Sequence, residues 1–143
     1  MGLGFIDSNF NKSTAITAVL PAKLIHLSTY CHTFGQTQRM QYLGDIPVKQ
    51  LLPGFFGKMV HGESSSLVFW DIKKDSVLPE HSHIHEQITH IVEGELEMVI
   101  GGKKYLLTAG SVHVIPSLIP HSALAITDCR VIDTFAPARD DYR

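Results

Sequence analysis

Cysteine is scarce in this chain: 143 residues carry two, Cys31 and Cys129. Two thiols so far apart make no disulfide scaffold and agree with a reducing, cytoplasmic setting. A strong charge of either sign is also missing, because the formal net charge is -2. That leaves no general electrostatic basis for nucleic acid or an anionic membrane as partner. No apolar run approaches the roughly 20 residues that span a bilayer. The most apolar N-terminal stretch, Ala15–Leu27, is interrupted by Pro21 and Lys23 and preceded by a single basic side chain, Lys12. It makes a poor signal peptide. The Met1-Gly2 start has Ile6 where a myristoylation signal needs Ser or Thr. Gly62–Ser66 lacks the Gly-Lys-Ser/Thr ending of a phosphate-binding loop and reads as a turn. Long helical periodicity is absent too, which argues against a βαβ fold.

What is present is an ordinary globular composition, 44% apolar and 18% charged, in a length that suits one domain. From about Ile46 onward, short apolar runs alternate with turn signals. Ser66–Ile72 and Gln87–Glu93 are two such runs, the second ended by Gly94. Glu95–Ile100 alternates as a half-buried strand does, and Gly101-Gly102 turns it into Lys103–Leu107. Val112–Ile115, His121–Ile126 and Arg130–Phe135 complete the series. The pattern predicts an all-β barrel or jelly roll over residues 40–143. Residues 1–39 lack this alternation and read as a short N-terminal extension, with one short helix expected over 11–18.

Nine histidines stand out, and their spacing sorts them. His81 and His83 are two apart, so on a strand they share a face. Gln87 follows after a turn, on what is expected to be the hairpin partner of that strand. His121, after Pro120, opens a later strand expected across the barrel. Three imidazoles and an amide oxygen fill part of a five- or six-coordinate shell and leave room for water or substrate. Zn, Ni, Mn, Fe and Cu all suit such donors. His85 and Glu86 read as exposed turn residues. His90 faces away from the lumen on the phase of Gln87, and His113 reads as structural. His26, His32 and His61 lack a partner spacing. Trp70, Phe55 and Phe56 read as core or dimer contact.

These motifs resemble those of the cupins. His81-Ser-His83, three residues, Gln87, six residues and Gly94 fit the first motif of that family, with Gln in place of its usual Glu. Gly110, five residues, Pro116 and then His121 fit the second, with Leu118 in place of a Gly and Ala125 in place of an Asn. The resemblance covers roughly residues 46–143. It implies a double-stranded β-helix, a divalent transition metal on His81, His83, Gln87 and His121, and a homodimer.

Gln87 changes the chemistry expected of that shell. A carboxylate would cancel one of the ion's two charges; an amide cancels none. The ion is then a stronger Lewis acid and a better partner for an anion, which tilts the reading from oxygenase toward isomerase or lyase. Downstream, Val131, Asp133 and Phe135 share one face of the last strand, and Arg139 follows a Pro-stiffened turn. An inward carboxylate moves protons, an arginine clamps a carboxylate, and an aromatic ring walls a pocket. Together with the His-Ile-His-Glu-Gln stretch, the Asp133–Arg139 string is similar to the small cupins of pectin and alginate degradation, which linearise 4,5-unsaturated uronates. That resemblance implies roles in activity for Asp133, Phe135 and Arg139. The expected function is metal-dependent chemistry on a small anionic sugar acid. Alternatives are a metal dioxygenase, or a non-catalytic binding or regulatory module stabilised by metal.

Overall fold

A computed structural model describes residues 40–143. The helix expected over 11–18, the rest of the N-terminal extension, and Cys31, His26 and His32 lie outside the described residues. Ten strands follow one another: β1 (Lys49–Leu52), β2 (Phe55–His61), β3 (Ser66–Ile72), β4 (Val77–His81), β5 (Glu86–Glu93), β6 (Glu95–Ile100), β7 (Lys103–Thr108), β8 (Val112–Ile115), β9 (His121–Ala125) and β10 (Cys129–Ala136). All pair antiparallel, in a six-stranded sheet ordered β1-β2-β3-β10-β5-β8 and a four-stranded sheet ordered β4-β9-β6-β7. Consecutive strands repeatedly switch sheets, as in a double-stranded β-helix. No helix among the described residues is long and apolar enough to cross a membrane.

Alternation in the text becomes alternation in burial. Along β10, Cys129, Val131, Asp133 and Phe135 are buried while Arg130 and Ala136 are exposed. On β5, Gln87, Thr89 and Ile91 point inward in the same way. Val68, Ile91 and Ile115 are fully enclosed between the sheets. Burying such a side chain contributes about 1.5–3 kcal/mol.

Two glycines are required by close approach. Gly94 takes φ +87° where the chain leaves β5 for β6, and a Cβ there would lie 2.3 Å from the Asp128 carbonyl oxygen. At Gly57 a Cβ would lie 2.7 Å from the Trp70 ring. The missing side chain lets that indole lie against β2, edge-on to Phe55 at 6.2 Å.

Candidate metal centre and its cavity

The expected ligands come together, by a different route from the one the spacing suggested. His81 ends β4, and His83 lies beyond it in the segment that carries the chain from one sheet to the other. β4 and β5 are therefore not hairpin partners: Gln87 sits on the six-stranded sheet. His121, expected across the barrel, is on the strand beside His81, and the two are direct Cα partners. Parity along a strand does not say which strand lies next to it. The crossover is held by the turn before β9, where Leu118 N–H donates to the His83 carbonyl at 2.8 Å and Ser117 Oγ to the Ile84 carbonyl.

One ring nitrogen from each of His81, His83 and His121 lies within 4.8 Å of the others. The opposite nitrogen is already engaged. Nδ1 donates to the Pro79 carbonyl in His81 (2.9 Å), to the His85 carbonyl in His83 (3.0 Å) and to the Ile119 carbonyl in His121 (2.8 Å). A carbonyl only accepts, so each Nδ1 carries a proton and Nε2 is the nitrogen left to offer a lone pair to a metal. His121 Nε2 is buried with no hydrogen-bond partner. Burial, then nearby Arg139, then His121 lower the pKa of His83. His121 is lowered chiefly by burial, against the pull of the Ile119 carbonyl. Three imidazoles with converging nitrogens fit a divalent metal, and the orphaned buried nitrogen of His121 is otherwise an uncompensated cost.

His81 and His83 of the cluster line a cavity of about 460 Å³. Gln87, Thr89, Asp133, Phe135, Arg139 and Tyr142 line it near the imidazoles, and Trp70, Met98, Leu96 and Phe55 line it among the core. Asp133 is 8% exposed and accepts from Trp70 Nε1 at 2.8 Å and from Thr89 Oγ at 2.7 Å. Burial pushes its carboxyl up to about 6, against the pull of those hydrogen bonds. Arg139 is 7% exposed. Its Nε and Nη2 donate to the two oxygens of Asp141 at 2.9 and 2.7 Å. Its guanidinium carbon lies 4.0 Å from the ring centre of Tyr142 and 5.0 Å from that of Phe135. The Arg139 backbone is anchored as well, because its N–H donates to the buried Ser66 hydroxyl.

Spacing did not point to Trp70, Thr89, Asp141 or Tyr142 as parts of the site. Trp70 is core, as read, but it also holds Asp133. His85 needs a correction. It is half-buried, its ring stands 5.4 Å from His83 and 6.4 Å from Phe135, and its Nδ1 is buried without a partner. The turn that was expected to expose it is the crossover, which folds it back over Phe135. His90 does lie off the inward phase of β5, and His113 packs on Tyr105 at 4.7 Å.

The family model for the cupin domain matches residues 68–135. The structure is similar to that of KdgF from Halomonas sp., with TM-score 0.70 and 30% identity, covering 75% of this chain and 100% of that one. This chain belongs to the cupin family. Another cupin of similar structure is the RmlC-like cupin from Shewanella frigidimarina NCIMB 400, with TM-score 0.71 and 27% identity over 75% of this chain and 97% of that one. In sequence, the cupin is 29% identical over 101 residues to the pectin degradation protein KdgF of Dickeya dadantii (strain 3937), covering 68% of this chain and 92% of that protein.

Proposed function

We propose that this cupin is a metal-dependent isomerase that opens the ring of a 4,5-unsaturated uronate. One observation carries the reading: a single cavity is lined by two imidazoles of a convergent three-histidine cluster, a buried carboxyl group and a buried arginine. The likeness to KdgF proteins, one of them named for pectin degradation, supports the same substrate class.

His81, His83, Gln87 and His121 would hold a divalent transition metal, Zn, Ni, Mn, Fe or Cu. When bound, it supplies Lewis acidity toward a substrate oxygen, and its charge is not cancelled by any ligand carboxylate. Arg139 lines the same cavity, and although Asp141 offsets its charge, its remaining N–H donors suit an anion. Two of the five guanidinium N–H groups go to Asp141, which leaves the Nη1 and Nη2 end of the fork for the substrate carboxylate. The rings of Phe135 and Tyr142 pack against that planar fork.

Asp133 moves the proton. It takes the proton of the anomeric hydroxyl as the bond from C1 to the ring oxygen breaks, and C1 becomes an aldehyde. The electron pair goes to the ring oxygen, now an enolate at C5. Asp133 returns the proton to C4 as C5 becomes a ketone. Every atom of the substrate is retained and no co-reactant is consumed. A carboxyl with a pKa of about 6 both accepts and returns a proton near neutrality.

Incubation with an unsaturated uronate monosaccharide, following the ultraviolet absorbance of its conjugated double bond, tests the reading. Arg139→Ala should lower turnover by at least about 100-fold while metal content survives. Full activity in that variant would remove the clamp from the mechanism.

A further inference from the structure

We infer that Thr89 is a positioning residue, whose hydroxyl decides which end of the Gln87 amide faces the imidazole cluster. The inference rests on the metal reading of that cluster and deepens it. A carboxylate presents an oxygen whichever way it turns. An amide presents either an oxygen, which can bind a cation, or an NH2 group, which cannot. Where Gln stands in place of Glu, something must make the choice.

The choice is made by hydrogen bonds running away from the cluster. The Trp70 indole only donates, and its Nε1 points at Asp133 Oδ2 at 2.8 Å. Thr89 Oγ gives its single proton to the other oxygen, Oδ1, at 2.7 Å. Thr89 Oγ can then meet Gln87 only as an acceptor, so the amide must present Nε2 to it, at 2.9 Å. That sends Oε1 the other way, to 3.2 Å from His83 Nε2. In the neutral ring, whose Nδ1 donates to the His85 carbonyl at 3.0 Å, His83 Nε2 is itself an acceptor. Two acceptors thus face one another, a repulsive pair that a shared cation turns into two ligands. The opposite amide orientation would satisfy His83 without any metal, and the proton of Thr89 opposes it. The orientation follows from this network.

Strand register builds the device. Thr89 is 1% exposed and two residues from Gln87 on the inward face of β5, so its hydroxyl lies beside the amide. It is also the Cα partner of Asp133 on β10.

The test is Zn²⁺ affinity of the full-length, metal-stripped protein, read by competition with a chromogenic chelator. Thr89→Val keeps the shape and removes the hydroxyl, and it should weaken Zn²⁺ binding by about 10–100-fold. Thr89→Ser should stay within about threefold of the parent. In a Gln87→Glu background, Thr89→Val should cost less than about threefold, since either carboxylate oxygen serves as ligand. Thr89→Ala gives the same readout should the valine variant not fold. Unchanged affinity in Thr89→Val, or an equal loss in both backgrounds, would overturn the inference. A parent protein that binds no Zn²⁺ would overturn the metal reading itself, and this inference with it.

Discussion

At Leu118 the backbone sits at φ 66°, in the left-handed region, on an exposed side chain. The family motif has glycine there, and the reason is visible: Leu118 is the third residue of a turn that Ile119 N–H closes on the Pro116 carbonyl at 3.3 Å, and its own N–H reaches the His83 carbonyl. Left-handed φ costs a non-glycine residue about 1–2 kcal/mol, and glycine's added freedom in the unfolded chain returns part of that. Leu118→Gly should therefore stabilise the fold by up to about 1 kcal/mol, raising the urea midpoint. A lower midpoint would contradict this account of the turn. Asp141 belongs to the same scale, since it takes two N–H groups of Arg139. Asp141→Asn should raise KM for the uronate about tenfold with kcat nearly unchanged. A fall confined to kcat would place Asp141 elsewhere in the mechanism. Among the site residues, His81, His83 and Gln87 were legible in the sequence because their spacing is local, and His121 because it closes the Gly110–Pro116 motif. Trp70 and Thr89 were not, because they meet Asp133 from 63 and 44 residues away.

Among the elements, the passage from β5 to β6 depends on Gly94. A Cβ there would lie 2.3 Å from the Asp128 carbonyl oxygen and 2.9 Å from Cys129 Sγ, at a φ that L side chains rarely adopt. Neither neighbour is the far end of a flexible chain. Gly94→Ala should cost at least about 2 kcal/mol, read as a lower denaturation midpoint. A variant as stable as the parent would mean that the strand switch tolerates a different path. Strand positions themselves were legible: Ser66–Ile72 and Glu95–Ile100 match β3 and β6. Their neighbours were not. A period of two tells which residues share a face, but sheet order comes from long-range pairing. That is why His121 lies beside His81, while Gln87 faces the cluster from the opposite sheet.

For the molecule as a whole, the metal reading makes stability depend on metal. Binding to the folded state alone adds about 2.7 kcal/mol at a metal concentration 100 times Kd. For a domain of this size that is roughly 10 °C or more in Tm. Chelation should lower the melting temperature by that order, and added Zn²⁺ should restore it. The all-β architecture was legible because turn signals recur at short, regular spacing, with no helical period between them. The cavity was not, because its volume is set by which side chains of two sheets fail to fill the space between them. The central claim is that this cavity opens an unsaturated uronate with its metal in place. The most direct measurement is the rate of loss of the conjugated ultraviolet absorbance of a 4,5-unsaturated galacturonate, with protein as purified, after chelation, and after reloading with a divalent metal. The account predicts rapid loss, a return to the uncatalysed rate on chelation, and recovery on reloading. A metal-loaded protein that leaves the absorbance falling at the uncatalysed rate would contradict it.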